Sequence, residues 1–254
     1  MKLIKPSYKI ETPINGEEIL IAIEAAGRTA YKSEDKIEIK RHPILANEMP
    51  YQEIGFKQEG VSARPFIKKL IKNSHEAVLE LGGMINVRFI CDRGVSHELV
   101  RHRIASFVQE STRYCNYASY DHIEFIIPSF LPQIPELTSN KVEELNQLIP
   151  EQFIGRGDRE AVDMGFKWAM MMLRAQNGYL DLIKFGKWSP QQARSVLPNS
   201  LKTEIVVGAN LREWRHIFKL RTAKVAHPQM RELMCPLLDE FKKAVPVIFD
   251  DIVY

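Results

Sequence analysis

Cysteine is scarce in this chain, with only Cys91, Cys115 and Cys235 in 254 residues. They include no close pair of the kind that holds zinc, and an odd, scattered set reads as three thiols in a reducing compartment. Long apolar runs are missing too: none approaches the ~20 residues that cross a bilayer, so no membrane partner is expected. Nor is there a large excess of one charge. The formal net charge of +3 is too mild to argue for nucleic acid without a concentrated basic stripe. The opening Met1-Lys-Leu-Ile-Lys-Pro has no apolar core followed by a cleavage site, so the expected location is cytoplasmic. Internal repeats and low-complexity tracts are absent. What is present is an ordinary soluble composition, 45% hydrophobic and 26% charged, at a length that suits a single domain over residues 1–254 with a substantial core.

The charge that exists is local. Between Arg93 and Tyr117 stand Arg93, His97, Arg101, His102, Arg103 and Arg113, offset only by Asp92, Glu98 and Glu110. Arginine stays charged at any working pH and offers a planar fork of donors, so several at close spacing suit phosphate or carboxylate. A solvated helix face is the ordinary reading of such a run. Here small hydroxyl residues, Ser111 and Thr112, lie beside Arg113, which is anion-binding chemistry. Ser96 reads as the cap of a short helix, with Leu99 and Arg103 on one side and His97 and Arg101 on the next. On that helix Arg101 and Arg103 point about 200° apart and can reach different parts of a ligand.

Around the cluster the periodicities set the frame. Asn15 followed by Glu17 and Glu18 starts a helix that ends at Gly27. Residues from about Asp35 to Val61 carry Pro43, Pro50, Gly55 and Gly60 and read as irregular connection. Pro65 sits at the entry of an amphipathic helix that ends near Asn73-Ser74-His75. Alternation of Ile85, Val87, Phe89 and Cys91 predicts a strand that points Cys91 inward and delivers the chain to the cluster. A second alternating run pairs Ile123, Phe125 and Ile127 against His122, Glu124 and Ile126. A short exposed helix is expected over 141–148. Asp158 reads as the cap of a long helix whose stripe includes Trp168, Ala169, Met172 and Leu173, stopped by Asn177-Gly178. Ser189-Pro190 opens a short helix halted by Pro198. Residues 203–207 are β-prone, and Asn210 opens a helix to Arg221. On it Asn210, Trp214, Ile217 and Arg221 share one side and Arg212 and His216 another. The last helix begins near Pro228 and contains Pro236, which is expected to kink it. The fold class expected from this series is α+β, an antiparallel or mixed sheet packed with several helices.

Arg101-His102-Arg103, seven further residues, Ser111 and then Arg113-Tyr114 resemble the signature of the flavin-dependent thymidylate synthases. Ala193-Arg194 with Leu197-Pro198 resembles a second family motif. Asn210-Leu211-Arg212 with Leu220-Arg221 resembles a third. His75-Glu76-Ala77 is a partial match: Ala77 replaces a small hydroxyl residue, and Leu81 stands where a histidine is common. A structural hydrogen bond is the ordinary role for a lone His75.

The resemblance implies reductive methylation of dUMP to dTMP, with methylenetetrahydrofolate as carbon donor, FAD as hydride carrier and NADPH as reductant. It implies that Glu98, Leu99, Val100, Arg101, Gln109, Glu110, Ser111, Thr112, Arg113, Arg194 and Arg221 hold dUMP. By the same resemblance Arg221 is expected to be the catalytic residue, stabilising an ionised uracil nitrogen. The FAD set is Arg101, His102, Arg103, Gln109, Asn210, Arg212 and His216, with no metal. The helix N-terminus at Asn210 adds an electropositive pole for pyrophosphate. A homotetramer with shared sites is implied as well. Cys115 reads as a packed thiol, because hydride transfer takes the place of a cysteine nucleophile. Two readings from other classes stand beside this one. The first is a single-stranded nucleic-acid-binding module using Arg93 to Arg113, with Tyr114, Tyr117 and Tyr120 stacking on bases. The second is a non-catalytic relative that binds no flavin.

Overall fold

Strand β5, Met84–Asp92, carries the buried residues Ile85, Val87, Phe89 and Cys91 on one face, as the period of two requires. A computed structural model describes residues 1–43, 56–131, 134–141 and 159–254. The expected short helix over 141–148 and the Asp158 cap lie outside the described residues, apart from Lys141. The chain divides into two units. The first comprises Met1–Lys9, Arg88–Arg103 and Phe107–Val207; the second comprises Ile10–Val87, Ile104–Ser106 and Gly208–Tyr254. With β2 (Ser7–Ile10), β6 (Ser106–Gln109) and β9 (Lys202–Asn210), strand β5 builds a four-stranded sheet of order β2-β5-β9-β6. This mixture of sheet and helix is the expected α+β class. Among the described residues no helix is long and apolar enough to cross a membrane.

In the first unit, β1 (Lys2–Ile4) lies parallel to β7 (Glu124–Ile126) and antiparallel to β8 (Leu137–Thr138), with Leu3 opposite both Phe125 and Leu137. Ile126 is buried, not on a polar side as the alternation implied, because β7 is covered on both faces. The helix Arg159–Lys184 packs Ala169, Met172, Leu173 and Tyr179 against Phe125 and Leu201. It passes straight through Asn177-Gly178, where the sequence predicts a stop. Burial of Tyr179 outweighs the ~1 kcal/mol that glycine costs inside a helix. Gln176, also buried, accepts from the Ile123 amide at 2.9 Å and donates to Asn140 at 3.1 Å.

The second unit contains α1, Gly16–Thr29, capped by Asn15 as expected. A Cβ on Gly16 would fall 2.0 Å from the Ala244 carbonyl oxygen, so only glycine lets the start of α1 approach the end of the helix Pro228–Ala244. The stretch read as irregular forms, in part, an antiparallel pair, β3 (Ile39–Pro43) with β4 (Phe56–Gly60). Pro43 is tolerated because a two-stranded ribbon has an unpaired edge on each strand. The helix Ala63–Lys72 and the 3-10 helix Glu76–Gly82 follow. Gly83 turns the chain into β5 at φ 92°, a conformation that L side chains rarely adopt. Pro236 lies inside the last helix, which keeps its helical assignment on both sides of it.

Trp214, Phe218, Phe241 and Phe249 form the aromatic centre of this unit, with ring centroids 5.1–5.7 Å apart in mostly tilted or edge-on pairs. The Trp214 indole nitrogen donates to the Ile85 carbonyl at 3.0 Å. Beside it Arg215 is fully buried. Its guanidinium donates to both Asp251 carboxylate oxygens at 2.6 and 2.8 Å, to Glu76 at 3.0 Å and to the Ile248 carbonyl. Hydrogen bonding from Arg215 is the main cause that holds Asp251 below the usual carboxylate range. Burial pushes Glu76 up, but Arg215 and Lys219 outweigh it and leave that carboxyl lowered.

A depressed carboxylate pKa stabilises the fold above the unfolded values of about 3.9–4.3, and that stability is lost as pH falls through the folded ones. Asp251→Asn is therefore expected to destabilise the protein by about 1–2 kcal/mol at pH 7, a modest figure because Asp251 is half exposed and screened. Urea unfolding should show the gap from the parent shrinking below about pH 4; a gap that is constant with pH contradicts the assignment.

Candidate functional site

The cluster begins one turn earlier than Ser96 would place it. Asp92, at the end of β5, accepts from the Val95 amide at 2.7 Å and caps the helix Arg93–Leu99. Ser96 lies inside that helix, buried, with its hydroxyl donating to the Arg93 carbonyl. Because an aspartate caps as well as a serine, the helix is complete at Leu99, and Arg101 and Arg103 stand in the turn beyond it. The shared face predicted for His97 and Arg101 does not form. Arg101, Arg103 and Val100 are exposed, His102 and Leu99 are buried, and Glu98 is half-buried. The Leu99 side chain belongs to the core and leaves only its backbone for a ligand.

Gln109, at the end of β6, turns its amide inward and donates to Ser96 Oγ at 2.8 Å and Thr203 Oγ1 at 3.2 Å. Glu110 accepts from the Tyr117 hydroxyl at 2.7 Å and from Lys202 at 3.3 Å. Thr112 is buried and receives the Arg194 guanidinium at 3.1 Å. Exposed Arg113 donates to Gln191 at 3.0 Å, and its amide donates to Ser111 Oγ at 3.3 Å. The fold thus brings residues 109–113 against 191–203, segments some eighty residues apart. Arg194 follows Pro190–Ala193, a single helical turn with the predicted Ser189 cap closed reciprocally by Gln192.

Arg93, His97, Thr112, Arg194, Ser195 and Asn199 line one cavity of about 270 Å³ in the first unit, closed by Leu197, Pro198 and Leu201. It contains cations, hydroxyls and an amide but no carboxylate, which suits a phosphate. Arg93 was part of the basic run but carried no assigned role; its nearness to Arg194 has no sequence signal. One Arg93 nitrogen reaches the Glu110 carbonyl at 3.5 Å and Thr203 Oγ1 at 3.4 Å. A larger cavity of about 700 Å³ in the same unit is lined by Lys2, Arg88, Gln109, Glu110, Cys115, Tyr117, His122, Glu124, Lys202 and Glu204, among others.

The second unit holds the remaining candidates. Asn210 caps the helix Leu211–Arg221 by accepting from the Glu213 amide at 2.9 Å. Arg212 and His216 are exposed on the predicted common face, Trp214 and Ile217 are buried, and Arg221 is half-buried. A cavity of about 390 Å³ is lined by Asn210, Arg212, His216 and Lys219 with Glu76, Glu80, Glu213 and Ile104. Arg212 is steadied by Glu80 at 2.6 Å. Asn210 and Arg212 stand at the N-terminus of that helix and Lys219 in its last turn, and the three carboxylates share the cavity with them. His75 Nδ1 lies 3.0 Å from the Tyr31 hydroxyl. All three cysteines are free; burial pushes the Cys91 thiol strongly up and the Cys235 thiol up as well.

The flavin-dependent thymidylate synthase of Corynebacterium diphtheriae is 28% identical over 251 residues, 96% of this chain and 82% of that protein. The enzyme of the same description from Corynebacterium glutamicum is 29% identical over 248 residues, 94% and 81% of the two chains. The one from Pyrococcus furiosus is 32% identical over 177 residues, 70% of this chain and 62% of that protein. The family model described as thymidylate synthase complementing protein matches residues 16–247. Since that match takes in both units and every motif from Arg101 to Arg221, the chain belongs to the thymidylate synthase complementing protein family.

Proposed function

We propose that this protein is a flavin-dependent thymidylate synthase that reductively methylates dUMP to dTMP, with methylenetetrahydrofolate as carbon donor and NADPH as reductant. The observation that carries the reading is the carboxylate-free cavity where Arg93, His97, Thr112 and Arg194 converge, within a chain of this family. Family membership favours the enzyme over a nucleic-acid-binding module. The reading treats residues 1–254 as one functional domain, working in the cytoplasm as a homotetramer with shared sites.

In this proposal Glu98, the backbone of Leu99 and Val100, Arg101, and residues Gln109 to Arg113 form the dUMP site with Arg194. Thr112 keeps Arg194 aimed, since its hydroxyl already accepts one guanidinium hydrogen. Arg221 stabilises the ionised nitrogen of the uracil ring and so favours attack by the ring carbon. One well-placed donor to a developing anion is worth about 3 kcal/mol. Arg101, His102, Arg103, Gln109, Asn210, Arg212 and His216 hold FAD. When bound, FAD supplies the hydride chemistry that no side chain offers. Gln109 has no carboxylate and so cannot act as a carboxylate base.

The purified protein, as isolated or after adding FAD, should show flavin absorption bands and form dTMP; a protein without those bands under both conditions contradicts the reading. Arg221→Ala should keep its flavin and lose dTMP formation by about 100-fold, whereas undiminished turnover removes the catalytic role. Arg194→Ala should raise the KM for dUMP at least about tenfold, the scale of a lost hydrogen bond to a charged group, in steady-state assays.

A further inference from the structure

Glu110 has every polar atom engaged. Its amide donates to the Glu204 carbonyl at 2.9 Å, and its own carbonyl faces Arg93 at 3.5 Å. One carboxylate oxygen accepts the Tyr117 hydroxyl at 2.7 Å; the other accepts Lys202 and the Glu204 amide, both at 3.3 Å. A carboxylate so held fixes the chain immediately before Ser111, Thr112 and Arg113. We propose that Lys202 and Tyr117 are positioning residues for deoxyuridylate binding: through Glu110 they hold segment 111–113 so that Thr112 aims Arg194 at the nucleotide phosphate. This inference rests on the function proposed above and adds a specificity-supporting layer to the same site.

The geometry of β9 explains why Lys202 can do this. Strand period places Lys202 and Glu204 on one face, where the ammonium bridges Glu204 at 2.9 Å and Glu110 at 3.3 Å and lies 3.7 Å from Glu124. Burial pulls the Lys202 ammonium down in pKa, but Glu204 and Glu110 more than reverse it, so it stays charged. The Tyr117 hydroxyl is pushed up by burial and then by its bond to Glu110, so it stays protonated and donates. This three-way pairing ties Glu110, Glu124 and Glu204 to one ammonium on the wall of the larger cavity. Its effect is passed along the backbone to the next three residues.

The test compares Lys202→Met, Lys202→Arg and Tyr117→Phe with the parent, each purified with FAD. Lys202→Met is expected to raise the dUMP KM about tenfold with kcat within about twofold, because a small misplacement of a binding segment is costly. Flavin content should be unchanged, and Lys202→Arg should recover most of the affinity. Tyr117→Phe, which keeps the ring contacts with Tyr120 and Tyr179, should raise the KM about threefold and carries the test alone if Lys202→Met fails to fold. Unchanged dUMP affinity in the folded variants overturns the positioning role, as does a parallel loss of flavin and of affinity for all substrates. A parent that neither binds dUMP nor forms dTMP overturns the function itself, which distinguishes the two failures.

Discussion

Arg93 and Arg194 line one small cavity with no carboxylate in its lining, and holding two cations there is the constraint on which the candidate site of the first unit depends. Neutral acceptors hold the two guanidinium groups, and an anion bound there would balance their charge. The acceptors are the Glu110 carbonyl and Thr203 for Arg93, and Thr112 for Arg194. Each comes from a segment fixed by the sheet: Thr203 from β9, and Glu110 and Thr112 from the chain that leaves β6. The unit therefore spends backbone order on keeping an electropositive space open.

Among the described residues, the carboxylates that line a cavity of this unit line the larger one. Glu110 and Glu204 meet Lys202, and Glu204 also meets Arg88 at 3.2 Å, on the side of the larger cavity. A carboxylate turned toward Arg194 instead would neutralise it and compete with a phosphate. The separation of a cavity of mixed charge from one lined by cations without a carboxylate is an electrostatic division of labour within a few residues of chain. It makes the cationic cavity the better candidate for an anionic substrate, although it is the smaller of the two.

In the second unit a different interaction has the central place. Arg215 is buried with Asp251 and Glu76 on its guanidinium, which ties the C-terminal residues and the 3-10 helix Glu76–Gly82 to the helix that carries Arg212, His216 and Arg221. Its neighbours on that helix, Trp214 and Phe218, supply the apolar burial; Arg215 supplies orientation, since a bidentate pair has a defined geometry. The exposed donors proposed for FAD thus stand on a helix held from its buried side. Arg215 attracted no notice in the sequence because a lone arginine between Trp214 and His216 reads as surface.

Much of the local structure follows from sequence alone. Alternation marked β5, the Asn15, Ser189 and Asn210 caps marked three helix starts, and the motif residues identified the family, because each is encoded within a few adjacent positions. Where local signals competed, tertiary packing decided. Asp92 took the cap from Ser96, burial of Tyr179 carried a helix through Asn177-Gly178, and strand pairing recruited Ile39–Pro43 from a stretch rich in breakers. Long-range partnership was not legible at all: nothing near Lys202 or Arg93 announces Glu110, and nothing near Thr112 announces Arg194. Residue type and order determined which chemistry this chain can perform, whereas the meeting of its charges depended on the folded chain, because Coulombic and hydrogen-bond partners are chosen by distance in space and not along the sequence.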